Sequence, residues 1–411
     1  MSTKRRLALA AGLFLLAPLV GEFLLGNQPI TALPWAIFLG PMYGGGALLI
    51  REFARRAGRG WPTIVLLAAA YALLEEGPID QMIFNPKYLG MDSFAGQAYL
   101  PGAGISVSLV QASLTLHTVW SICVPIVLVE AFSPERTRPW LGRVGLSVTG
   151  AIFVLGSTAL GIMQGLEFHF LASPAQLVVT SAVIVALAVA AFWIGRRPHN
   201  PVVAPDTAPL GSPDVAPVAP ALGPTDQPAP PRPWRVGAVA FGLTSAYWAS
   251  SLLPEGGVRQ WLDVAVWFPL VGVAVVLGVR WTRRSGWSDR HSLAVAGGAL
   301  LTYAWAGFLN SLYNAEYGGA PLGIAFAGNV VFGLCAVVLL AFATRAVRRR
   351  TARQRETATA TVSPQSAAHT GGGTAHESGV DGSAHEDAGG GPADEDAGGD
   401  GSAHEDAQPV G

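Results

Sequence analysis

The chain has 411 residues, 51% of them hydrophobic and only 13% charged, about half the charge of an ordinary soluble domain. A formal net charge of −1 hides an asymmetry, with arginines beside the apolar runs and many acids near the C-terminal end, and those arginines read as topology signals rather than as the basic surface a nucleic-acid partner needs. The two cysteines, Cys123 and Cys335, each lie in an apolar run, which excludes a disulfide framework and a cysteine-built zinc site.

Taken in chain order, the apolar runs read as an all-α, polytopic transmembrane bundle of about ten spans, whose first partner is the lipid bilayer. Lys4, Arg5 and Arg6 precede Leu7–Leu25, a run longer than a signal-peptide core and without a small-residue cleavage site, so it is expected to be a retained first span. Trp35–Ile50, Trp61–Ile79, Ile105–Phe132, Val144–Met163 and Pro174–Ile194 complete a six-span half within residues 1–195. Residues 196–235 are rich in Pro and Ala and cannot be helical, so they read as a partly extended linker. A four-span half follows within residues 236–347: Val236–Leu253, Leu262–Val279, Ser292–Leu312 and Leu322–Ala343. Residues 348–411 read as a low-complexity, disordered tail in which Ser-Ala-His-Glu-Asp-Ala occurs at Ser383 and again at Ser402.

Arginines mark alternate junctions. They cluster at the N-terminus and again at Arg51–Arg59, Arg136–Arg143, Arg196–Arg235, Arg280–Arg290 and Arg345–Arg350, while the intervening junctions hold only Lys87 and Arg259. The positive-inside rule then places both termini in the cytoplasm. The alanine, glycine and arginine usage points to a bacterial plasma (inner) membrane.

Charge at bilayer depth is expensive and usually faces a protein interior or a wet cavity. At 1.5 Å per residue, Glu75 counted from Trp61 lies ~21 Å from the arginine-bearing edge, Glu22 counted from Leu7 ~22 Å, and His117 counted back from Ser133 ~24 Å. Glu75 and Glu76 are followed by Gly77-Pro78 and Asp80, so a broken helix beside crowded acids is expected. Glu22, Glu75, Glu76, Asp80 and His117 are therefore the candidates for binding protons or ions. Gln111, Glu167, His169, Asn310 and Asn314 are secondary polar candidates. Glu130 and Asp263, close to span ends, read as interfacial, and Trp140 as part of an aromatic belt.

Glu75-Glu76, then His117, then His169 follow one another in the order of motifs of the CPBP (Abi) family of intramembrane metalloproteases, which residues 60–175 resemble. The chain has Asp80, Ser113 and Ser173 where that family's pattern has an arginine, an aromatic residue and an acid or amide. The resemblance implies a glutamate that activates water and, with Glu75, Glu76, His117 and His169, a zinc or oxyanion site. No Walker, H-E-x-x-H or G-x-S-x-G motif occurs, and the residues by themselves lean away from an enzyme.

The leading expectation is a permease for a small solute or ion, built on an outward-facing protonatable layer and needing no cofactor. The alternatives are a CPBP-like hydrolase with zinc, and a non-catalytic scaffold whose tail meets a cytoplasmic partner.

Overall fold

No water reaches the hydrocarbon layer to satisfy a peptide group, so apolar runs of this length close their hydrogen bonds internally as helices. The structure, a computed structural model, describes residues 1–88, 98–194, 228–249, 257–316 and 318–362. In chain order the helices are α1 (Thr3–Pro18), α2 (Ala36–Arg56), α3 (Trp61–Leu74), α4 (Val107–Leu116), α5 (Val124–Glu130) and α6 (Arg143–Phe168). There follow α7 (Pro174–Ile194), α8 (Pro233–Ala249), α9 (Gly257–Thr282), α10 (Asp289–Glu316) and α11 (Leu322–Val362). Two two-residue strands, β1 (Tyr99–Leu100) and β2 (Ile105–Ser106), pair antiparallel just before α4.

Among the described residues, nine helical stretches are long and apolar enough to cross a membrane. One of them joins α4, a π-helical segment and α5 into a single crossing, Val107–Glu130. The seventh expected span, Val236–Leu253, corresponds to α8, described over the 17 residues Pro233–Ala249. Span ends move outward from the sequence reading: the fifth reaches Phe168 instead of Met163, and the second begins at Ile30 and ends at Arg56. Residues 348–362, expected to open a disordered tail, instead continue α11 as helix, while most of the linker and residues 363–411 lie outside the described residues.

Residues Met1–Glu356 form one compact unit. A first core packs α1, α2 and α3 around Leu13, Tyr43, Ala47, Ile64 and Tyr71. A second joins α5 to α10 and α11 through Trp120, Leu128, Leu300 and Tyr303. Trp120 stacks on Tyr303 with ring centroids 4.3 Å apart and donates its indole N–H to the Ala299 carbonyl at 2.8 Å. Lipid is as apolar as these side chains, so close packing and interhelical hydrogen bonds, not removal from water, hold such cores together.

Helix α2 crosses α1 closely because Gly44 has no side chain: a Cβ there would stand 2.1 Å from the Phe14 carbonyl oxygen. Backbone cannot give way as a rotamer can. Gly44→Leu is expected to lower stability by about 1–3 kcal/mol, read as a lower thermal midpoint in detergent. By contrast α6, α7 and α9 bury little of their length, 11%, 6% and 6% of their most apolar windows, and turn valine-rich faces outward.

The arginine-bearing end differs from its sequence reading. Arg51, Arg55, Glu130 and Trp140, expected at span ends beside the interface, are all buried within the protein. Arg51 donates to Glu130 at 3.0 Å, to Glu52 at 2.7 Å and to the carbonyls of Arg136 and Arg138 at 2.7 and 3.0 Å, and it lies over the Trp140 ring. Arg55 grips the same Glu130 through two bonds of 3.0 and 2.8 Å. Glu52 accepts from the backbone N–H groups of Trp140 and Leu141. The cause is local: the segment after α5 folds back over α2 and shields two guanidinium groups that face two carboxylates. Asp263 is half-buried, 3.6 Å from Arg259 one turn away.

Candidate functional site

The ionisable candidates share a backbone feature. Glu22 lies in a π-helical segment, Leu19–Phe23; Glu75 and Glu76 lie in another, Glu75–Ile79; and His117 opens a third, His117–Cys123. Each is closed by a bond spanning five residues: Leu24 N–H to Leu19 O, Asp80 N–H to Glu75 O, and Val124 N–H to Val119 O. Such segments insert one residue into an α-helix and concentrate at functional sites. For the second, the sequence supplies a cause: Pro78 has no N–H to donate to the preceding turn. The first directly follows Pro18, and Pro125 follows the third.

At the centre lies His117, 5% exposed. Its Nε2 is 2.8 Å from Glu76 Oε1, and its Nδ1 is 2.9 Å from Glu75 Oε2 and 3.1 Å from the Ser121 hydroxyl. The contact with Glu75 is close but poorly aligned as a hydrogen bond. Both Glu75 oxygens and Glu76 Oε2 are buried without a hydrogen-bonding partner. Tyr43 and Tyr71 flank the imidazole with ring centroids at 5.9 and 6.3 Å, and Tyr71 faces Glu75. Glu22 completes the group from α1's end, accepting from the Tyr43 hydroxyl at 2.6 Å.

From Glu22 a chain of amides leads to the exposed surface. Asn27 donates to Glu22 at 3.2 Å and accepts from Asn310 at 2.7 Å. Asn314 holds the Gly26 carbonyl at 3.2 Å, and buried Asn329 ties Gly307 to Ser311. The turn after Glu22 is therefore gripped by α10, from the far side of the linker.

Of the other candidates, Asp80 stands half-buried at the end of its π-segment, beside Gln164. Gln111 is buried beside Tyr247, and Thr115, one turn on, bonds Trp267, so this face of α4 turns toward α8 and α9 rather than the carboxylates. Glu167 and His169 are exposed at the end of α6, His169 in a left-handed conformation with φ 48°. The structure does not bring His169 into the buried group. Among the described residues, no set of three or more His, Cys, Asp or Glu side chains is arranged to hold a metal ion.

Sequence reasoning missed Tyr43, Tyr71 and Ser121, although signals were present. Tyr71 and Ser121 sit four residues from Glu75 and His117, on the same helical faces. The glycines opposite them make room: a Cβ on Gly46 would stand 2.5 Å from the Tyr71 ring, and one on Gly21 2.8 Å from the Ser121 hydroxyl.

The arrangement gathers two buried carboxyl groups and one imidazole from two spans, with the half-buried Glu22 of a third beside them. It is suited to taking up protons or a cation, and its charge opposes an anion. No curated protein and no solved structure matches the chain. Residues 13–350 match the sequence model of an uncharacterized membrane protein family, and this multi-pass membrane protein belongs to it.

Proposed function

We propose that the protein is a permease-type transporter of a small solute or ion, in which Glu75, Glu76, His117 and Glu22 form a proton-exchanging centre reached from the outer side. One observation carries the reading: the two buried ionic layers of the bundle are balanced differently. At the arginine end, Arg51 and Arg55 meet Glu52 and Glu130, two charges of each sign. At the other, the buried Glu75 and Glu76 meet one imidazole, with the half-buried Glu22 joined to them through Tyr43. Buried charge must be compensated, so this layer is neutral only when protons or a cation join it. A protonated imidazole can donate from both nitrogens, a neutral one from only one; moving one proton thus changes which glutamate is held. Asn27 and Asn310 supply a polar route to the surface. The arginine alternation supports cytoplasmic termini and a tenth crossing by α8.

The test is infrared difference titration of the purified protein. A carboxylic-acid stretch that appears and disappears with pH, and is lost in Glu75→Gln or Glu76→Gln, is expected. If all carboxyl groups titrate as in free peptides, the centre is open to water and the reading falls. The hydrolase reading has one observation in its favour, the meeting of Glu75, Glu76 and His117 that the CPBP resemblance implies. Adding zinc separates the two: a zinc-induced shift of the carboxyl bands, lost in His117→Ala, favours the hydrolase.

A further inference from the structure

A cavity of about 650 Å³ runs along the back of the Glu75–Ile79 segment, between it and α6. One wall is Leu74, Pro78 and Ile79; the other follows α6 from Phe153 to Gly165. No charged side chain lines it. The polar lining is Gln81, whose side-chain carbonyl accepts from the Ala172 N–H, together with Ser157 and Thr158, whose hydroxyls can turn onto carbonyls one turn back in their own helix; the rest of the lining is apolar or glycine. The mouth is continuous with the outward face of α6: Val154, Ile162 and Leu171 line the cavity and are 59%, 58% and 78% exposed.

Length and depth decide what fills it. From Phe153 to Gly165 is ~18 Å along the helix axis, close to the ~15 Å half-thickness of a hydrocarbon core. Counted from Arg143, the groove starts near the bilayer centre, passes Ser157 at about the level of Glu75, and ends near the edge on the side of the carboxylates. At that depth the surrounding solvent is hydrocarbon, not water. We infer that this groove is a binding site for one acyl chain of a lipid in the leaflet on that side, seated against the helix that carries Glu75 and Glu76. The chain fills the space left where the π-segment pushes Pro78 and Ile79 away from straight α-helical packing. This assignment goes beyond the proton reading and does not depend on it.

The test is photo-crosslinking in nanodiscs of phosphatidylcholine with a diazirine in its acyl chain, with labelled peptides mapped by mass spectrometry. Label is expected to concentrate on 74–79 and 153–165, several-fold above the outward faces of α7 and α9. A Cβ on Gly165 meets nothing within 4 Å, so Gly165→Phe fills the groove without a clash at the backbone and is expected to remove most of that label. Gly150→Phe, equally unobstructed on the same helix but away from the groove, should leave it unchanged. Gly165→Leu serves if the larger variant does not fold. Equal labelling of the groove and of α7 and α9, or labelling indifferent to Gly165→Phe and Gly165→Leu, would overturn the assignment. Titration of Glu75 and Glu76 plays no part in this readout.

Discussion

Arg51→Ala is expected to destabilise the protein by about 3–5 kcal/mol, the range for removing one partner from a buried ion pair. Arg51 is fully buried and has two carboxylate and two carbonyl partners. Its loss leaves Glu52 with no guanidinium closer than Arg56 at 3.7 Å, leaves Glu130 sharing only Arg55, and takes the cation from the Trp140 face. Thermal unfolding in detergent measures it, with Arg348→Ala, on an exposed turn of α11, expected within ~0.5 kcal/mol of the parent. Adding Glu52→Gln to Arg51→Ala should recover part of the loss, because Glu52 is the carboxylate left without a close guanidinium, whereas Glu130 keeps Arg55. If Arg51→Ala costs no more than Arg348→Ala, the network is ornamental and the fold is held by packing alone.

The second large effect is His117→Ala. It removes the one group that faces both Glu75 and Glu76, leaving carboxylates crowded in a dry site with Glu22 nearby. The expected loss is about 3 kcal/mol where these groups are ionised. It should shrink as the pH is lowered, since protonated carboxyl groups need no cation. The sign is diagnostic: a merely structural histidine, lost for its volume, would give a penalty indifferent to pH. Glu75→Gln or Glu76→Gln in the His117→Ala background should reduce the penalty at alkaline pH and change little at acid pH. Thermal midpoints of the single and double variants across pH close the cycle.

Much of the site's location was legible because helical rise is uniform. Counting residues from span ends put Glu22, Glu75 and His117 at one level, and the structure packs them side by side. What counting could not supply was azimuth. The π-segments rotate each helix locally, and that rotation turns the acids and the imidazole toward a common centre; only Gly77-Pro78 hinted at it. Tyr43, Tyr71 and Ser121 went unread because a search for charge passes over hydroxyls. At the other end, a junction rule treats every arginine as a surface marker. It has no way to see the segment after α5 fold back and bury Arg51, Arg55 and Glu130. Glu167 and His169 lie beyond Met163, where the sequence pattern ends the fifth span; the helix runs on to Phe168 and leaves both exposed.

The three π-segments also bear on how such a centre could change state. Each holds one residue more than its helix needs, and at 3.6 residues per turn one residue is worth roughly 100° of phase. A surplus residue need not stay where it is: passing it one position along the helix swings the side chain it leaves behind through that angle, while the helix neither breaks nor changes length. Around His117 there are three such surpluses on three adjoining spans. The bundle can thus reorient individual carboxylates like separate dials, with Arg51 and its partners as a fixed footing at the opposite end.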